Sequence, residues 1–240
     1  MSSAEARYTL RTSDQKLRGG VLSEFAGHDV FSAEPRRIFR WHKGQRHYPG
    51  RYWAATMGSF VGYESRLELA ALLLEDFDPR VVRIASQPFE LIAGRGDRDG
   101  GHVPDFMVEY RDSSFAVIDV KPASRLKKPE IASALRWAGD IIQSRGWQYR
   151  IVSEPDPVLL SNIRFLAGYR RISQFAERDV RAVEAAALDA RTLGEAIRRA
   201  GGALGDLAYA RTVVLHLLWI NAIRCDLTYP LARHTPLEVS

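Results

Sequence analysis

Two short apolar runs, Phe106–Tyr110 and Phe115–Val120, flank the polar tetrapeptide Arg111-Asp112-Ser113-Ser114. Runs of this length on either side of a polar turn predict an antiparallel β-hairpin. Upstream, Ser65 precedes Leu67, Leu69, Ala70, Ala71, Leu72, Leu73 and Leu74, and Pro79 follows. A capping residue, a dense apolar run and a terminating proline predict a helix. Glu64 and Glu68 are four apart and are expected to share a face of it. Residues 81–84 and 89–92 predict short strands around Gln87-Pro88, and 94–101 a polar loop. That loop has a Gly-x-Gly but lacks the rest of a phosphate-binding fingerprint. Beyond the hairpin, Lys127-Lys128-Pro129 leads into a helix from Glu130 to about Ser144, ended by Gly146, and residues 147–152 predict another strand. This order gives a mixed sheet flanked by helices, an α/β fold.

From Leu159 onward the strand pattern gives way to helical periodicity. Residues 162–170 and 174–188 predict helices. Thr192-Leu193-Gly194-Glu195 is a capping box opening a third helix to about Ala200, broken at Gly201-Gly202. Residues 206–219 predict a fourth helix, followed by a β-like tail over 222–227. Helix, turn, helix and hairpin make a winged-helix-like outline, which a plain helical dimerisation module shares. The expected division is a domain over 1–170, with residues 1–35 as a loose N-terminal arm, and a smaller helical domain over 171–240.

Composition narrows the function classes. The 240 residues are 46% hydrophobic, ample for a packed core, and the net charge of +5 fits an anionic partner or simply a basic soluble protein. The basic residues are mostly Arg. The single cysteine, Cys225, excludes an intramolecular disulfide and a cysteine-based zinc cluster. There is no apolar leader-like segment and no run of about 18 apolar residues, so a cytoplasmic protein is expected. Residues 36–56 interleave Arg, Lys and His with Phe, Trp and Tyr. Such a stretch can track a nucleic-acid backbone and stack on bases; it can equally be a strand pair covering the core.

The chemistry concentrates in residues 101–122. Asp105 stands before the first hairpin strand. Asp119 and Lys121 lie two apart on the second, so their side chains share one face. Val117, Ile118 and Val120 mark that strand as buried, and unpaired charge there is expensive. A divalent metal resolves the conflict, because carboxylate oxygens suit Mg²⁺. Glu68 adds a third carboxylate within an apolar helix. His102 is a candidate contact for phosphate or water, with a structural hydrogen bond as its alternative. Gln87, Trp41, Trp53, Trp147, His216 and Trp219 are read as structural.

Glu68, Pro104-Asp105 and Asp119-Val120-Lys121, in this order and on these elements, resemble the PD-(D/E)xK nuclease core. Tyr63-Glu64-Ser65-Arg66-Leu67-Glu68-Leu69-Ala70, Phe77-Asp78-Pro79, Gln87-Pro88-Phe89, Pro104-Asp105-Phe106 and Asp119-Val120-Lys121-Pro122 further resemble the TnsA-like endonuclease subunit of heteromeric transposases. The resemblance spans roughly residues 58–170. It implies a restriction-endonuclease-like domain followed by a winged-helix-like one. It implies Glu68, Asp105, Asp119 and Lys121 as catalytic residues. Glu68, Asp105, Asp119 and the Val120 carbonyl would hold Mg²⁺, with Mn²⁺ as a substitute. It also implies the reaction: cleavage at the 5′ ends of a mobile element in cut-and-paste transposition. The expected partners are transposon-end DNA, a DDE-type transposase subunit and an AAA+ ATPase regulator. A stand-alone restriction or repair endonuclease would use the same core. A non-catalytic DNA-binding module has little reason to keep all four ionisable residues.

Overall fold

A computed structural model describes residues 6–37, 48–92 and 101–238. Trp41 with the rest of residues 38–47 of the basic and aromatic stretch, and nearly all of the 94–101 loop, lie outside the described residues. The chain divides into two compact units, residues 1–154 and 155–240. The boundary falls ahead of the expected one at 170, so the helix over 157–166 belongs to the second unit.

In the first unit the strands and helices are β1 (Arg7–Arg11), β2 (Leu17–Val21), β3 (Gly50–Ala54), β4 (Ser59–Tyr63), α1 (Arg66–Phe77), β5 (Val81–Ser86), β6 (Glu90–Ile92), β7 (Gly101–His102), β8 (Phe106–Tyr110), β9 (Phe115–Val120), α2 (Ala123–Leu126), α3 (Pro129–Ser144) and β10 (Gln148–Val152). A mixed sheet has the order β10-β9-β8-β5, with β10 parallel to β9 and the other pairs antiparallel. The β8–β9 hairpin pairs Phe106 with Ile118 and Glu109 with Phe115. A second sheet has the order β2-β1-β6-β7, and β3–β4 form a separate hairpin.

The second sheet corrects the expectation of a loose N-terminal arm. Tyr8 and Leu10 alternate with Arg7, Thr9 and Arg11, and this period-two pattern buries the two apolar residues. Leu22 and Phe25 follow and are fully buried. They share one core with Phe89, Leu91, Met107, Val117, Ile141, Ile142 and Trp147. Burying a side chain of Phe25's size contributes about 1.5–3 kcal/mol, so this segment belongs to the domain.

Helix α1 starts where the sequence placed it. The Ser65 hydroxyl accepts from the Glu68 backbone N–H at 3.1 Å, a cap worth about 1 kcal/mol. Glu64 precedes this cap and lies outside the helix, so it does not share a helical face with Glu68. Its backbone N–H donates to the Glu68 carboxylate at 2.7 Å, and the Ser65 hydroxyl donates to the other oxygen at 2.9 Å.

The second unit contains α4 (Pro157–Leu166), α5 (Glu177–Ala187), α6 (Leu193–Leu204) and α7 (Leu207–Trp219). Thr192 caps α6. Gly201-Gly202 does not break it. A Cβ at Gly201 would lie 2.8 Å from Leu207, so this glycine admits a close neighbour, and the helix stops at Gly205 in the left-handed conformation, φ 70°. The β-like tail over 222–227 forms no strand. The returning chain instead makes one antiparallel bridge, Thr192 with Pro236. His216 and Trp219 are buried, as expected of packing residues. No helix among the described residues is long and apolar enough to cross a membrane.

Candidate active site

The C-terminal end of β9 brings Asp105, Asp119 and Lys121 together. Antiparallel pairing continues one step past β8, because the Asp105 N–H donates to the Ile118 carbonyl. The Asp105 carbonyl accepts from the Gln87 N–H at 2.9 Å. Gln87 holds a left-handed φ of 45° and also accepts the Arg37 N–H on its side-chain oxygen; its role is structural, as expected. These bonds aim the Asp105 carboxylate back at β9, where Oδ2 accepts the Val120 N–H at 2.6 Å. The Lys121 backbone is tied to β10 by its N–H to the Val152 carbonyl, and its own carbonyl accepts the Ser153 hydroxyl.

The Lys121 ammonium lies between the acids. Nζ is 2.9 Å from Asp105 Oδ2, 3.3 Å from Asp119 Oδ1 and 3.2 Å from the Val120 carbonyl oxygen. Desolvation lowers its pKa, but Asp105 and Asp119 outweigh that and raise it. Lys121 is therefore an ammonium here. Desolvation also raises Asp105, helped by the Asp119 charge and opposed by Lys121 and the Val120 N–H. Glu68 is pushed up to about 7, chiefly by burial, with the Asp105 charge adding to it and the bonds from Glu64 and Ser65 opposing it.

Asp119 is the most buried of the set, at 0% exposure. Burial would raise its pKa, but His102, Lys121 and Tyr149 together hold it below the usual carboxylate range. Its Oδ2 lies 2.7 Å from His102 Nε2 and accepts the Tyr149 hydroxyl at 2.7 Å. A carboxylate only accepts, so Nε2 carries the proton in this contact. His102 thus makes the hydrogen bond that its structural alternative described. It comes from β7, the edge strand next to β6 in the β2-β1-β6-β7 sheet. Tyr149 was not singled out in the sequence: it sits on β10, paired with Val117, and its link to Asp119 depends on parallel pairing across a connection that holds α3.

The candidate donors are hard oxygens: those of Asp105, Asp119 and the Val120 carbonyl contact the Lys121 ammonium, and Glu68 lies near enough to feel the Asp105 charge. Hard divalent cations take such ligands, and a cation would offset the burial and the Asp105 charge that raise Glu68. No three acidic, imidazole or thiol side chains among the described residues are already gathered as a metal-ligand group. The local reasons are visible: Lys121 bridges Asp105 and Asp119, Asp119 Oδ2 faces two protein donors, and Glu68 serves the start of its own helix.

No curated protein matches the chain. Residues 78–154 match the family model of the TnsA-like endonuclease N-terminal domain. The matched segment contains Asp105, Asp119 and Lys121 together with His102 and Tyr149, whereas Glu68 lies before it. The acid, the D-x-K motif and the hairpin all lie within this segment, so over residues 78–154 the chain is similar to a TnsA-like nuclease domain.

Proposed function

We propose that this chain is the metal-dependent DNA endonuclease subunit of a heteromeric transposase, cleaving the 5′ ends of a mobile element. The observation that carries the reading is the junction of Asp105, Asp119 and Lys121 at the end of β9, with Glu68 near enough to be raised by the Asp105 charge. Asp105, Glu68, Asp119 Oδ1 and the Val120 carbonyl would hold Mg²⁺, and Mn²⁺ would substitute. Such an ion supplies positive charge that polarises a phosphoryl oxygen and acidifies bound water. The protein's own part is positioning and charge. Asp105 is fixed by the Val120 N–H. Lys121, kept protonated by two carboxylates, donates to a phosphate oxygen or orients water in the transition state.

The partners in this reading are transposon-end DNA, a DDE-type transposase that acts on the 3′ ends, and an AAA+ ATPase regulator. The second unit is taken as a winged-helix-like positioning module. The antiparallel contact between the segment before α6 and the returning chain supports this, although no β wing is formed. Exposed arginines such as Arg171, Arg178 and Arg181 can contribute phosphate affinity with little sequence information.

The test is 5′-end cleavage in the reaction assembled with the transposase, in Mg²⁺, by wild type and Asp105→Ala. The expected result is cleavage by the wild type and none by the variant. Equal cleavage by both would overturn the site. Cleavage at a fixed sequence without the transposase would favour a stand-alone restriction-type enzyme.

A further inference from the structure

Asp119 is held by two residues outside the nuclease motif. Its Oδ2 accepts from both His102 and Tyr149, while Oδ1 faces Lys121. A fully buried carboxylate needs donors, so these bonds could serve stability alone. A third residue argues for a more specific purpose. Gly139 lies within α3, where glycine is destabilising relative to alanine. A Cβ there would stand 2.7 and 3.0 Å from the Tyr149 ring. The helix therefore gives up an alanine at the place where the Tyr149 ring must pass to reach Asp119.

We propose that His102, Tyr149 and Gly139 form a positioning network that commits Asp119 Oδ2 to the protein and presents Oδ1 alone to Lys121 and the site. The proposal rests on the nuclease reading. Two donors on one oxygen, from strands of two different sheets, fix the rotation of the carboxyl group as well as its place. Asp119 then offers a metal one oxygen in a fixed direction, and the same oxygen steers the Lys121 ammonium. Donors that orient a ligating carboxylate typically carry about 10–100-fold in metal affinity or activity. His102 and Tyr149 touch neither substrate nor metal in this scheme; they act through Asp119.

The experiment uses the full chain and the variants Tyr149→Phe, His102→Ala, His102→Gln, Gly139→Ala and Asp119→Ala. Mn²⁺ affinity is measured by calorimetry, beside thermal unfolding of the metal-free protein and cleavage in the assembled reaction. Tyr149→Phe and His102→Ala should each weaken Mn²⁺ binding by about 10-fold or more. His102→Gln, which keeps an N–H at nearly the same reach, should recover much of the loss. Gly139→Ala should act in the direction of Tyr149→Phe although it removes no polar atom. In the Asp119→Ala background, Tyr149→Phe should have no further effect on Mn²⁺ affinity. Variants that unfold at lower temperature yet bind Mn²⁺ as tightly as wild type would show a purely structural network and overturn the proposal. The nuclease reading is tested separately by Asp105→Ala: wild-type cleavage by that variant removes the reading itself, whatever Tyr149 does.

Discussion

Glu68 and Asp119 are both withdrawn from water, yet their carboxyl groups are pushed in opposite directions. Glu68 is only partly buried and is raised to about 7. Asp119 is completely buried and is held low. Depth therefore does not decide the charge state; the donors do. Asp119 has an imidazole, a phenol and an ammonium around it. Glu68 has one backbone N–H, from Glu64 just before its helix, and one hydroxyl, from the Ser65 cap, and it feels the Asp105 charge. Asp119 has its donors from the protein, whereas Glu68 is raised chiefly by burial. In the proposed metal site, a bound cation would favour the charged form of Glu68.

The largest effects should come from the rigid side. Lys121→Ala leaves Asp105 and Asp119 close together without the ammonium between them. Cleavage should fall by roughly 10²-fold or more, as expected for loss of a charge-stabilising donor. Mn²⁺ binding should largely survive, because the ammonium is not a ligand. Calorimetry showing binding destroyed would instead make Lys121 the organiser of the site.

A smaller effect separates the two acids through metal-free stability. The Glu68 pKa is raised on folding, so its contribution is fully present below the unfolded value near 4.5 and is lost as pH rises through about 7. Wild type should lose stability over that window, by at most about 3 kcal/mol, and Glu68→Gln should lose less. Asp119 works in the opposite sense. Its lowered pKa contributes stability above its unfolded value, near 3.8, that is lost as pH falls through the folded value. Denaturant titrations in chelator from pH 4.5 to 8 check the Glu68 part, and their extension below pH 3.8 checks the Asp119 part. Parallel curves for wild type and Glu68→Gln would remove the contrast.

Legibility in the sequence followed the range of the interactions. The β8–β9 hairpin was visible because both runs and their turn are local. Asp105, Asp119 and Lys121 were visible because one hairpin carries all three. Glu68 was visible too, but Ser65-x-x-Glu68 is also a capping pattern, and in the structure the residue serves the cap while facing Asp105. Tyr149 was invisible, since its reach to Asp119 depends on strand pairing across α3. The N-terminal sheet was missed although Tyr8 and Leu10 alternate with polar residues, because its partner β2, with Leu17, Arg18, Gly19, Gly20 and Val21, carries little apolar signal. Gly201-Gly202 misled in the other direction: glycine reads as a stop, but close packing can place it inside a helix.

The central contrast is that burial and the Asp105 charge raise Glu68 while three donors hold Asp119 low, and the proposed metal site makes a prediction from it. Proton release on metal binding tests it most directly. A group protonated below about 7 must give up its proton to become a ligand. Mn²⁺ titration calorimetry at pH 6, in two buffers of different ionisation enthalpy, counts the protons released. The account predicts release approaching one proton per metal at pH 6, falling away by pH 8, and clearly smaller in Glu68→Gln. Binding without proton release at pH 6, or the same release from Glu68→Gln, would contradict it.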